Sequence, residues 1–133
     1  MQSISTFNPE GRYIVIPIFV STKHGRRRQF KAILDTGAPR TEFSDESLHF
    51  AGFVTKQKEN VKIREGLQTQ KYSDIVLPNV EICSRTISDL NVYVSRFEKS
   101  WGIDALIGLD FFRRFRVTID YQNGQIITEP YNI

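Results

Sequence analysis

Ala32-Ile33-Leu34-Asp35-Thr36-Gly37-Ala38-Pro39-Arg40-Thr41-Glu42-Phe43-Ser44 reads as a strand, a tight turn and a second extended run. The apolar residues end at Asp35, Thr36-Gly37-Ala38 form the turn, and Thr41–Ser44 resumes the extended pattern. A carboxylate at the end of a strand is positioned by a rigid element. The Thr36 hydroxyl can satisfy backbone groups of the turn. Gly37 lets backbone N–H groups approach the carboxylate closely and tolerates φ > 0. Ala38 precedes a proline and is therefore expected to be extended.

Around this stretch the pattern is strand after strand. Tyr13–Val20 is β-branched and aromatic, and Pro17 within it fits an edge or a bulge. Ser21–Gly25 is a polar connection that signals a hairpin into Arg28–Leu34, where Phe30, Ala32 and Leu34 share a face. Val61–Arg64, Tyr72–Leu77, Val80–Cys83 and Leu90–Val94 read as further short strands. Phe115–Tyr121 alternates strictly and is followed by Asn123-Gly124, a two-residue hairpin signal leading to a returning strand over Gln125–Thr128. Short helices are expected at Asp45–Ala51, after an N-cap at Ser44, and at Leu109–Phe115. Residues 1–9 look like a loose arm. The expected organisation is an N-terminal arm over residues 1–11 and one domain over residues 12–133. Its class is mostly β, a barrel or sandwich with one or two short helices.

Composition narrows the function. A chain of 133 residues with 40% hydrophobic and 25% charged residues is neither disordered nor collagen-like and can bury a core. Eighteen Lys and Arg against fifteen Asp and Glu leave +3, too small a surplus to require a nucleic-acid partner. Arg26-Arg27-Arg28 and Arg113-Arg114 read as solvated charge. With one cysteine, Cys83, no intrachain disulfide can form, and with two histidines, His24 and His49, no His/Cys-rich zinc site is available. Cys83 reads as an inert core thiol, and His49 as flanking the first helix. The longest apolar run, Tyr13–Val20, is eight residues and is too short to span a membrane. No signal peptide is recognisable, so a cytoplasmic location is expected.

Asp35-Thr36-Gly37-Ala38 after two apolar residues resembles the active-site loop of aspartic proteases. The stretch from Asp104 to Tyr121 is similar to the hydrophobic-hydrophobic-Gly segment and following helix of the retroviral-type, or retropepsin-like, family. The resemblance covers about residues 12 to 129, and the 71 positions from Asp35 to Leu106 fit one such unit. It implies a closed retropepsin-like barrel in which Leu106, Ile107 and Gly108 pack beneath the loop of Asp35, Thr36, Gly37 and Ala38. It also implies a hairpin flap, placed between Asn60 and Asp74 with Gly66, Leu67 and Gln68 near its tip. Pro39 departs from the family pattern, which has an acidic residue or a serine there. It removes a side-chain hydrogen bond and a backbone donor near the carboxylate.

The family chemistry uses two carboxylates sharing a proton, and this chain has one Asp-Thr-Gly loop. The resemblance therefore implies a homodimer with the site on its two-fold axis, and residues 1–9 and 125–133 as interface strands. The expected function is an aspartic endopeptidase acting on a peptide or protein substrate, with Asp35 catalytic, no metal and no cofactor. Neither a membrane nor a nucleic-acid partner is expected. The alternative is a catalytically inactive peptide-binding or dimerisation module on the same fold.

Overall fold

A computed structural model describes residues 1–54 and 70–132. The elements in chain order are β1 (Ser3–Thr6), β2 (Val15–Ser21), β3 (Arg27–Leu34), β4 (Glu42–Ser44), α1 (Asp45–Phe50), β5 (Gln70–Ile82), β6 (Arg85–Arg96), β7 (Ala105–Ile107), α2 (Leu109–Phe112), β8 (Arg116–Asp120) and β9 (Gln125–Glu129), with a single 3₁₀ turn at Lys99–Trp101. Six strands close a barrel in the order β2-β3-β7-β4-β6-β5, and β1-β9-β8 form a separate sheet. The architecture is the mostly-β closed barrel with two short helices that the sequence implies.

The β2–β3 hairpin follows from its sequence. Val15 pairs with Ile33 and Ser21 with Arg27, and Gly25 takes φ +83° in the intervening turn. Leu34 N donates to Ile14 O on the β2 side, whereas Lys31 O accepts from Asp104 N on the other side. Lys31 therefore faces away from β2, and Pro17 opposite it sits in a non-hydrogen-bonded pair where its missing N–H costs nothing. The β2–β5 ladder starts only at Ile18, so Pro17 also lies on an unpaired edge.

Three local expectations are corrected. Tyr72–Leu77, Val80–Cys83 and Leu90–Val94 belong to one long hairpin of β5 and β6, whose strands run through Pro78. Pro78 is tolerated because Asp89, opposite it in register, takes φ 54° and the pair drops out of the ladder. The hairpin turns at Cys83-Ser84, with φ 52° and 60°, a primed-turn conformation adopted without glycine or asparagine. The connection after β8 has four residues, 121–124, since Asp120 pairs with Gln125. The Asp120 carboxylate caps that turn, accepting from Asn123 N at 3.0 Å and Asn123 Nδ2 at 2.8 Å. Residues 3–6 of the expected arm are an ordered strand, paired with β9 from Ser3↔Thr128 to Thr6↔Gln125. The expected strand at Val61–Arg64 lies outside the described residues.

The helices hold the barrel to its loops. Ser44 caps α1 by accepting from Ser47 N, as expected. α2 is shorter than its apolar run suggests and passes into turns at Arg113–Phe115. Phe43 and Phe111 are fully buried in the main core, each contributing about 2–3 kcal/mol by burial. A smaller cluster of Ile33, Phe97 and Leu106 takes Trp101 against it, with the Phe97 and Trp101 rings 5.6 Å apart. No helix of the described residues is long and apolar enough to cross a membrane.

Candidate active site

Asp35 follows the last residue of β3, where β3 runs parallel to β7 with Leu34 beside Ile107. Asp35 N donates to Ile107 O at 2.9 Å, which carries the strand pairing one residue into the loop. The turn then closes on itself. Ala38 N donates to Asp35 O at 3.1 Å, and Gly37 N donates to Asp35 Oδ1 at 3.1 Å. A backbone N–H aimed at the carboxylate fixes its orientation. Asp35 and Ala38 are half-buried, while Thr36, Gly37 and Pro39 are exposed.

Two details differ from the sequence reading. Gly37 is not among the residues with positive φ. A Cβ there would lie 3.3 Å from Asp35 Oδ1, so a side chain at this position would make the carboxylate give by a few tenths of an ångström. The Thr36 hydroxyl makes no hydrogen bond among the described residues and does not serve the backbone of its own turn.

The segment Leu106-Ile107-Gly108 is brought against this loop. Leu106 and Ile107 are buried. A Cβ on Gly108 would come within 2.7 Å of both Ala38 O and Arg40 C, so only glycine lets the two segments meet. Leu109 N donates to Ala38 O at 2.8 Å and ties the start of α2 to the loop.

The sequence reading assigned no role to the residues that lock this junction. Thr41 Oγ1 donates to Asp110 Oδ1 at 2.8 Å and accepts from Gly108 N at 3.2 Å, and Thr41 N donates to the same carboxylate oxygen at 3.0 Å. Thr41 and Asp110 are 69 positions apart, so no local pattern connects them. Asp104, on the chain entering β7, accepts from Lys31 N at 2.8 Å and from Ser47 Oγ at 2.6 Å.

Charged groups flank the loop beyond Pro39. The Arg40 guanidinium lies 4.0 Å from the Tyr93 ring centroid and reaches Asp74 at 3.3 Å. Glu42, nearly buried, pairs with Lys71 at 3.0 Å. Asp45 is fully buried and accepts from Tyr72 Oη at 2.6 Å and Arg96 Nε at 2.7 Å. That bond to Asp45 raises the Arg96 pKa and fixes its charge. The expected flap tip at Gly66, Leu67 and Gln68 lies outside the described residues.

The remaining singled-out residues take structural places. Burial pushes the Cys83 thiol pKa up, as an inert thiol requires. His49 Nδ1 lies 3.0 Å from Val54 O at the end of α1. Arg27 pairs with Glu81 at 2.7 Å, and Arg114 Nε donates to Asp110 O at 2.9 Å. Among the described residues, no group of three or more His, Cys, Asp or Glu side chains is gathered as a metal site.

What this chain presents is one oriented carboxylate on a buttressed, solvent-facing loop. Neither of two grooves in the chain, of about 790 and 490 Å³, includes that loop.

A protein-family model described as "gag-polyprotein putative aspartyl protease" matches residues 22–114. The fold is shared with the crystal structure of a retropepsin-like aspartic protease from Rickettsia conorii, at 23% identity and a TM-score of 0.65, covering 96% of this chain and 89% of that one. It is also shared with the retroviral protease-like domain of Ddi1 from Leishmania major, at 18% identity and a TM-score of 0.59, covering 93% of this chain and 92% of that one. No curated protein matches the sequence.

Proposed function

The chain belongs to the gag-polyprotein aspartyl protease family, and from that membership we propose that it is an aspartic endopeptidase assembled from two copies. The observation that carries the reading is the Asp35 loop, whose carboxylate is oriented by Gly37 N–H while its outer residues stay exposed. A two-fold axis beside this loop brings two Asp35 carboxylates together. Two such groups cannot both ionise cheaply, so the pair holds one proton. The ionised Asp35 takes a proton from water as the oxygen attacks the scissile carbonyl. The protonated Asp35 gives its proton to the carbonyl oxygen. Collapse of the tetrahedral diol breaks the C–N bond, with a proton passing to the leaving nitrogen. No covalent intermediate, metal or cofactor enters this sequence.

The expected interface strands are refined by the pairing within one chain. β9 has β8 on one edge and β1 on the other, so it has no free edge for a second copy. A partner would meet this three-stranded sheet through the outer edges of β1 and of β8, which precedes the terminal β9. A peptide or protein substrate would lie across the paired carboxylates.

The test is a peptide-library cleavage assay of wild type and Asp35→Asn at acidic and neutral pH. Hydrolysis by wild type with a bell-shaped pH profile, lost in a folded Asp35→Asn chain, is the expected result. Equal cleavage by the variant overturns the assignment. Peptide capture without cleavage in either form indicates the inactive binding module instead.

A further inference from the structure

Alternate side chains of β3 face opposite ways. Phe30, Ala32 and Leu34 join the main core. Lys31, Ile33 and Asp35 therefore share the other face, with successive side chains about 7 Å apart. The register with β2 sets Pro17 beside Lys31 and Val15 beside Ile33 on that face. The chain leaving the 3₁₀ turn closes the far side, with Trp101 and Ile103 packed against the cluster that holds Ile33. These residues bound the groove of about 490 Å³. A concavity of this size with an apolar floor and a few polar groups has the form of a ligand site. Ile33 places it one same-face step from Asp35 along the strand.

The charged residues lining this groove are Arg12 and Lys31, and no carboxylate is among the lining residues. The described ion pairs occupy Arg27, Arg40, Lys71, Arg96 and Lys99, so neither Arg12 nor Lys31 is offset by an acid among the described residues. Arg12 lies 5.7 Å from the Tyr13 ring centroid, a contact that leaves its charge in place. Lys31 also borders the larger groove, which Glu46, Glu98 and Asp104 line. The oxygens of Asp104 accept from Lys31 N and Ser47 Oγ, and Glu46 pairs with Lys99.

We propose that this groove sets the sequence preference of the site: an apolar residue lies over Ile33 and Trp101, and an acidic residue two positions farther from the scissile bond meets Lys31 and Arg12. The inference rests on the endopeptidase reading, which makes the occupant a substrate peptide. The spacing comes from β3 itself. Lys31 is one same-face step beyond Ile33, and an extended peptide repeats its own face at that interval. A lysine or arginine in the acidic position would meet two like charges without a counterion.

The test uses the full chain carrying Asp35→Asn, so that binding is read without hydrolysis. Trp101 is the sole tryptophan, so its fluorescence reports occupancy of this groove. The probe is acetylated, amidated Glu-Ala-Phe-Phe-Ala-Glu, compared with its glutamine and lysine counterparts and with Ala-Glu-Phe-Phe-Glu-Ala. The first peptide should bind about three- to fivefold more tightly than the glutamine one at low ionic strength, and the lysine one most weakly. The differences should fade with added salt. Moving the glutamates one position inward should abolish the gain, and Lys31→Glu should reverse the order of the glutamate and lysine peptides. In the wild-type chain the same order should appear in KM rather than kcat. If Lys31→Glu fails to fold, the shifted-glutamate peptide decides. Unchanged fluorescence at millimolar peptide, equal affinities, or a glutamate preference that survives Lys31→Glu overturns the proposal. So does fluorescence that changes with protein concentration alone, which assigns the groove to a second copy. Wild-type hydrolysis without the preference overturns the groove and leaves the endopeptidase reading standing. The preference in binding, with no hydrolysis by wild type, supports the groove and overturns that reading.

Discussion

Asp35 and Asp45 lie ten residues apart, on the two sides of β4, and the chain treats them in opposite ways. Asp45 is fully buried and its carboxylate is held by Tyr72 and Arg96, which come from β5 and β6. Asp35 is half-buried and its carboxylate takes one hydrogen bond among the described residues, from the backbone of its own turn. The first carboxylate is consumed by the fold and cross-links three elements. The second is oriented but not consumed, and Thr36 and Gly37 beside it in its loop are exposed. The difference teaches how to separate a structural acid from a chemical one. The deciding feature is whether side chains from distant parts of the chain grip the carboxylate, as Tyr72 and Arg96 grip Asp45 Oδ2.

The sharpest way to break this comparison is to exchange the two effects by mutation. Asp45→Ala leaves Arg96 without its buried partner and should destabilise the fold by about 3–5 kcal/mol, read by urea denaturation. Asp35→Asn keeps an acceptor for Gly37 N–H and should leave stability within about 0.5 kcal/mol. If Asp35→Asn is the more destabilising, the loop carboxylate is structural and the contrast fails.

A smaller effect is expected at the buttress. In Gly108→Ala the new Cβ meets backbone atoms at 2.7 Å, which cannot rotate away as a side chain would. Stability should fall by about 1–3 kcal/mol. Because the clash displaces Ala38, three residues from Asp35, peptide hydrolysis should fall on the order of 10²-fold. Unchanged activity would show that the loop position does not depend on α2.

The smallest effect belongs to an exposed carboxylate that does only local work. Asp120 has its pKa lowered, first by the Asn123 backbone N–H and then by the Asn123 side chain. A lowered folded pKa adds stability above the ordinary carboxylate range, and that stability is lost as pH falls through the folded value. Asp120→Ala should therefore be slightly less stable than wild type at neutral pH and equal to it in strong acid. A gap between the two that widens on acidification contradicts the turn-capping role.

The same contrast explains what was legible in the sequence. The Asp35 turn and the Leu106-Ile107-Gly108 segment are local patterns, and each keeps its meaning when read alone. Ser44 as a cap and the Ser21–Gly25 hairpin are legible for the same reason. Asp45 looks like an ordinary acidic residue in the first turn of a helix, because Tyr72 and Arg96 are 27 and 51 positions away. The Thr41–Asp110 lock is hidden by the same distance in sequence. The turn at Cys83-Ser84 is illegible for a different reason: its residues carry none of the usual signal for positive φ. Ser3–Thr6 offers too little apolar pattern to read as a strand, and its order comes from the pairing with β9.

The central claim is that a working site needs Asp35 from two chains. Co-refolding wild-type and Asp35→Asn chains in known ratios tests it most directly, with hydrolysis measured per total chain. If both carboxylates are required, activity follows the square of the wild-type fraction, and an equal mixture retains about one quarter of the wild-type value. Activity that falls in simple proportion, to about one half at equal mixture, would mean that each chain works alone and would contradict the account.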